Sequence, residues 1–182
     1  MLSCGKVNIA MASRVELLKD MEFKKLLSED VVLIACPEHP WAREKEISPK
    51  DLDRTDIILP QEDTEIYSDI RNGLRGVGIS IYELKPIMTL GSLEAIALSV
   101  QEGLGVAFIP RLLYNRLVID KVVEIRVRGL EIFRDIYIVR NTCRPATAAQ
   151  NAFWEFITAI KSETFDHMGS GRSDCKKIPI FG

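Results

Sequence analysis

The chain has 182 residues, enough to bury a core as one domain or two small lobes. Its 24 basic and 26 acidic side chains leave a formal net charge of −2, which argues against DNA binding by this chain alone; pairs such as Lys24-Lys25 and Lys176-Lys177 read as solvated faces. No stretch reaches the ~18 consecutive apolar residues of a membrane span, and 47% hydrophobic with 27% charged residues is ordinary for a soluble globular protein.

Taken in chain order, residues 7–11 (VNIAM) are a short strand candidate. A polar stretch follows, then residues 31–36 (VVLIAC), a β-branched run typical of a buried strand. Residues 37–43 form a turn-rich link, and the strand at 56–59 runs into Gln61-Glu62-Asp63-Thr64, where Asp63 or Thr64 can cap a helix. Ile66, Ile70, Leu74 and Val77 line one face of that helix, and Gly76 and Gly78 end it. Residues 82–90 are the next strand. Ser92 then caps a helix with Leu93, Ile96, Ala97 and Val100 at helical spacing, and Gly103 suits the left-handed residue after it. Val106 to Ile109 form an apolar strand stopped by Pro110, where a second helix over 111–117 starts. Residues 121–127 alternate enough for an edge strand, and 132–139 are another apolar run. Ile58, Ile96, Val106, Phe108 and Ile136 are expected to be buried.

Strands alternating with helices predict parallel sheet with right-handed crossovers. A chain that leaves one lobe near residue 45 and returns near 130 makes two lobes joined twice, with ligands held between them. The last 20 residues differ: the stretch from Glu163 is rich in Gly, Ser and Lys, and 163–182 is read as a cloning remnant or a disordered tail, the alternative being a strand at 177–181.

Chemistry concentrates at two helix starts, after Pro60 and after Gly91, because a helix N-terminus offers free backbone N–H groups to polar or anionic ligands. Gln61, Thr64 and Ser92 add hydrogen-bonding side chains there, though Thr64 and Ser92 read equally as plain N-caps. Glu62 and Asp63 put negative charge at the mouth, which leaves the charge of any ligand open. Catalysis finds no support: there is no G-x-S-x-G elbow, P-loop or dinucleotide fingerprint, and Gly103-Leu104-Gly105 precedes a strand instead of a helix. Cys4, Cys36, Cys143 and Cys175 contain no C-x-x-C pair, and with only His39 and His167 beside them they lack zinc-ligand spacing. They read as free thiols. No enzyme activity, cofactor or metal is expected.

Several runs together resemble the effector-binding domain of LysR-type bacterial transcriptional regulators. They are G-S-x-E-A-I at Gly91 with G-L-G-V-A-F-I-P at 103–110, DVVLIACPEHPW at 30–41 with its H-P-x-A element, ISPKDL at 47–52, DIILPQ at 56–61, FRDIYIVRNTCRP at 133–145, and A-F-x-x-F-I in a closing helix over 148–157. The resemblance covers about residues 5–162. It implies a periplasmic-binding-protein-like bilobed α/β fold with parallel sheets: subdomain I from 1–46 and 131–162, subdomain II from 47–130. The family's opening strand, helix and strand have no counterpart, so the first lobe is expected to be incomplete.

The resemblance also implies a small-molecule effector held by Ser13, Pro60, Gln61, Thr64, Gly91, Ser92, Leu93 and Ile109, with Ser13 on the wall opposite the helix starts. It implies a homo-oligomer, a dimer of head-to-tail domains. DNA is expected to be contacted only through a separate N-terminal helix-turn-helix domain absent here, and no membrane is involved. A solute-binding protein of a transporter shares the architecture, but no apolar signal run precedes Cys4; the expected location is the cytoplasm.

Overall fold

The computed structural model describes residue 2 and residues 7–13, 20–118 and 120–160. The tail at 163–182, with His167 and Cys175, lies outside the described residues, as does Cys4.

Among the described residues seven strands form one mixed sheet: β1 (Ile9–Ala12), β2 (Met21–Ala35), β3 (Ile57–Pro60), β4 (Pro86–Leu90), β5 (Val106–Pro110), β6 (Val123–Ile125) and β7 (Phe133–Asn141). The order is β1-β7-β2-β5-β3-β4, with β6 paired to β2. The parallel pairing expected from the sequence is confined to β4-β3-β5; the ladders of β1 with β7 and of β2 with β5, β6 and β7 are antiparallel.

The central second-lobe strands are apolar at every position because both sheet faces are covered. Val31, Leu33, Ile57, Leu59, Val106 and Phe108 point to the side of helix α1 (Glu65–Gly76), which buries Ile66, Ile70 and Leu74 against them. Val32, Ile34, Ile58, Ala107 and Ile109 point to the other side, against Ile96, Ala97 and Val100 of α2 (Leu93–Gln101). The first lobe has a smaller core, in which Leu26 and Ile138 meet Trp154 of a helix over Ala148–Ala159. Lys24 Nζ reaches back to the carbonyls of Thr158 and Ile160, satisfying the end of that helix.

Four expectations change. The polar stretch before residue 31 is strand: β2 begins at Met21, and residues 21–30 pair with β7. A bulge between Lys25 and Leu27 resets the side-chain alternation, and polar residues form cross-strand contacts such as Lys25 with Asp135 and Glu22 with Arg140, which hides the period of two. Within the expected strand 82–90, only Pro86–Leu90 is extended, because Ile81–Glu83 make a 3₁₀ turn boxed by Ser80 and Glu83. The helix after Pro110 is three residues of α-helix, Arg111–Leu113 (α3), followed by a π turn over Tyr114–Val118; the closing helix Ala148–Ala159 is α4. Of the five residues expected in the core, Ile58, Ile96, Val106 and Phe108 are buried, but Ile136 is half-buried, since the β2–β7 ribbon there has no helix packed over both faces.

The link between the lobes is β2 itself. Asp30 is its last residue paired with β7, and Val31 its first paired with β5.

Gly105 shows how tightly β3 and β5 are set. A Cβ there would stand 2.7 Å from the backbone carbonyl oxygen of Asp56, which already accepts a hydrogen bond from Val106 N–H at 2.8 Å. Gly105→Ala must push two central strands apart, and urea denaturation should show a loss of about 1–3 kcal/mol; an unchanged midpoint would refute the close approach.

Candidate functional site

β3 and β4 are parallel neighbours, with Pro60 opposite Leu90, so the turns that follow them open side by side at one end of the sheet. Gln61 N–H donates to the carbonyl of Leu90 at 3.2 Å, fastening the two turns together. The Gln61 side chain lies over Gly91, where an added Cβ would come within 3.0 Å of its Oε1. From these turns α1 and α2 start, each presenting unpaired N–H groups and the positive end of its dipole.

Thr64 caps α1: its Oγ1 accepts from Tyr67 N–H at 3.3 Å and donates to the carbonyl of Gln61 at 2.5 Å. Ser92 caps α2, accepting from Ala95 N–H at 3.2 Å and donating to Glu94 Oε2 at 2.8 Å. Of the two caps the sequence allows for α1, Thr64 rather than Asp63 takes the role. Both hydroxyls are therefore engaged locally, and a ligand competing for them would exchange one hydrogen bond for another. Leu93 is half-buried and touches the cores on both sheet faces. Pro60 and Ile109 are buried, Ile109 completely.

Ser13, just after β1, faces this region from the first lobe. Its N–H donates to Glu65 Oε2 at 3.0 Å, and its Oγ contacts the same oxygen. A backbone N–H and a hydroxyl converging on one carboxylate oxygen form a receptor for an anionic or strongly polar group. The structure thus groups Gln61, Thr64, Gly91, Ser92 and Leu93 on one side and Ser13 opposite, joined through Glu65.

Glu65 is a residue the sequence reading missed. So are Asp69, one turn further along α1, and its partner Arg134 on β7, whose Nε stands 3.9 Å from Asp69 Oδ2 and 3.7 Å from Glu29 Oε1. The four-residue spacing of Glu65 and Asp69 puts both carboxylates on one face of the helix, a signal present in the sequence but meaningful only once that face is known to turn toward the first lobe. Burial pushes the Glu29 carboxyl above its ordinary range, against the pull of the Arg134 guanidinium.

His39 is structural: its Nδ1 accepts from Trp41 N–H at 3.2 Å at the start of a 3₁₀ turn, and its ring meets Trp41 edge-on at 4.9 Å. Among the described residues no group of His, Cys, Asp and Glu is arranged to hold a metal ion, and no helix is long and apolar enough to cross a membrane. A cavity of about 360 Å³ opens elsewhere, between β2 and β6, lined by Asp30, Arg111, Glu124 and Phe133 among others. None of the ligand-site residues singled out from the sequence lines it. Arg111 in its wall bonds Asp30 at 3.0 Å and Glu124 at 2.8 Å.

Adjacent helix starts at one end of a mixed sheet, with helices on both of its faces, define an α/β domain. The family model described as the LysR substrate binding domain matches residues 1–160, and the chain belongs to that family. Among curated relatives, an uncharacterised helix-turn-helix-type transcriptional regulator of Methanocaldococcus jannaschii is 28% identical over 143 residues, 78% of this chain and 48% of the relative. A probable RuBisCO transcriptional regulator of Cyanidioschyzon merolae is 30% identical over 153 residues, 82% of this chain and 50% of the relative. The chain thus spans about half the length of these relatives. Two solved structures share the fold: the Synechocystis PCC6803 CcmR regulatory domain in complex with 2-PG (TM-score 0.74, 17% identity, 87% of this chain and 75% of that one), and the effector binding domain of QuiR in complex with shikimate (TM-score 0.73, 21% identity, 86% and 72%). LysR regulatory domains have a periplasmic-binding-protein-like fold, and this mixed α/β sheet matches it.

The field at the α2 start can be measured. Its own backbone N–H, then the Ser92 hydroxyl, hold the Glu94 carboxyl below its ordinary 4.5. A carboxylate with a depressed pKa stabilises the fold above its unfolded value and loses that contribution as pH falls through the folded one, so the window lies below pH 4.5. An NMR titration should find Glu94 with a midpoint under 4.5, moving up in Ser92→Ala. A Glu94 midpoint at or above the ordinary value would contradict the cap geometry.

Proposed function

We propose that this chain is the effector-sensing part of a LysR-type transcriptional regulator, which binds a small metabolite between two lobes and so controls DNA contact made by a separate helix-turn-helix domain. The observation that carries this reading is the pairing of two adjacent helix N-termini with Ser13 across the gap, bridged by Glu65. In this reading the first lobe is formed by residues 7–13, 20–30 and 133–160, the second by the described residues between 31 and 132. The effector touches Ser13, Gln61, Thr64, Gly91, Ser92 and Leu93, over a floor of Pro60 and Ile109.

The CcmR and QuiR domains are described with 2-PG and shikimate bound, which supports a small polar effector here. In this reading the residues serve to bind and orient, and the protein acts as a cytoplasmic regulator. The solute-binding alternative is not favoured, because the relatives are transcriptional regulators.

Calorimetry with 2-PG and with shikimate tests the site. Ser92→Gly costs only a few tenths of a kcal/mol of cap stability while removing the hydroxyl, so it separates capping from binding. A ligand that binds the parent chain should bind Ser92→Gly and Thr64→Ala about tenfold more weakly, roughly 1.4 kcal/mol. Equal affinity in both variants would move the site elsewhere.

The chain should also self-associate. Among the described residues β1 lies at one end of the sheet with Met11 exposed, and Phe153 and Phe156 of α4 are exposed, so there a strand edge and apolar surface are left without a partner. Sedimentation velocity at tens of micromolar, an order-of-magnitude working range for weak pairing, should show a dimer; a monomer throughout would count against it.

A further inference from the structure

Where β2 changes partner, a cluster of charges gathers around the buried Glu29. Glu29 and Asp30 are the last residues of β2 paired with β7, opposite Arg134 and Phe133, and Val31 is the first paired with β5. Val31 N–H donates to the carbonyl of Ile132 at 2.8 Å, so both interlobe strands are tied at the same level. Here the side chains of Glu29 and Arg134 are only 6% and 14% exposed. Arg134 Nε lies 3.7 Å from Glu29 Oε1 and 3.9 Å from Asp69 Oδ2, and Asp69 is 13% exposed. Glu29 Oε2 accepts from Leu112 N–H of α3 at 3.4 Å. Beside them Arg111 is held by Asp30 and Glu124.

One guanidinium on β7 therefore faces a carboxylate on β2 and a carboxylate on α1. Asp69 sits four residues beyond Glu65, on the face of α1 whose first turn meets Ser13. Charges this far from water interact strongly, and separating them leaves uncompensated ions in a poor solvent. A shift of α1 along its axis would change the separation of Asp69 from Arg134, which stands beside the end of the β2–β7 ladder.

We infer that Arg134 is a positioning residue that couples the start of α1 to the hinge through Asp69 and Glu29, so that whatever engages the first turn of α1 is felt where the two lobes join. Coupling of this kind is reciprocal: the hinge angle equally sets the stance of the α1 N-terminus. The inference rests on the reading that the effector touches that turn, but the coupling itself can be tested without a ligand.

Thr64→Ala loosens the cap of α1 and serves as the perturbation, with amide hydrogen exchange of the full chain as the readout. In the parent background it should speed exchange at Val31 and the neighbouring β2–β7 hinge amides severalfold, beyond any change at Phe108 in the core. In an Arg134→Met background the same substitution should change the hinge amides by less than about twofold relative to that core reference. Should Arg134→Met fail to fold, Arg134→Lys decides, since it keeps a charge but cannot span both carboxylates in one plane. A purely structural Arg134 would alter all amides alike and leave the Thr64→Ala response at the hinge intact; an equal severalfold response in both backgrounds overturns the coupling. Calorimetry then distinguishes the two claims. If neither 2-PG nor shikimate depends on Thr64 or Ser92 but the exchange response still requires Arg134, the effector reading fails and the coupling stands. If a ligand binds through those residues and the response ignores Arg134, the coupling fails alone.

Discussion

A strand can belong to two sheets only if its hydrogen-bonding partners change along its length, and β2 does so at Asp30–Val31. Its first ten residues run beside β7 in the first lobe, and its last five pair with β5 and β6 in the second. Almost everything else follows from that change of partner. β7 must return beside it, which is why the chain re-enters the first lobe at Phe133. The hydrophobic character of β2 also switches: polar residues joined by cross-strand ion pairs on the open ribbon give way to Val31–Ala35, covered on both faces. The boundary between lobes is thus a boundary in side-chain chemistry along one continuous strand.

On the second lobe, the packing that stabilises the sheet also builds the site. α1 and α2 lie on opposite faces, yet their N-termini emerge from adjacent parallel strands and so open at one edge. A parallel arrangement is what brings them together, because each strand runs into its helix at the same end of the sheet. Thr64 and Ser92 use their hydroxyls to finish those helices. Capping and recognition need not exclude each other, since an N-cap leaves other N–H groups of the first turn free.

α1 has a second duty. Its Glu65 and Asp69 reach toward the first lobe, one to Ser13 and one to Arg134, so this helix carries polar contacts across the gap as well as an apolar face on the sheet. A buried carboxylate such as Glu29 is costly to ionise, and the Arg134 guanidinium beside it offsets part of that cost.

The second lobe was largely legible in the sequence, because its signals are local. Continuous apolar runs mark strands buried on both faces, three- and four-residue spacing marks α1 and α2, and Thr64, Ser92 and Gly103 punctuate them; Gly103 does adopt a positive φ of 74°. The motif runs around Gly91, Gly103 and Pro110 carried the family resemblance for the same reason. What the chain's residues could not reveal were features set by pairing across distance. The strand over residues 21–30 was hidden by its bulge and by polar residues whose partners lie on β7, about a hundred positions or more away. The roles of Glu65, Asp69, Glu29 and Arg134 were equally invisible. Acidic residues at a helix start read as solvated until the fold turns that face toward another lobe, and only the tertiary structure, by folding β7 back against β2, brings the guanidinium between the two carboxylates.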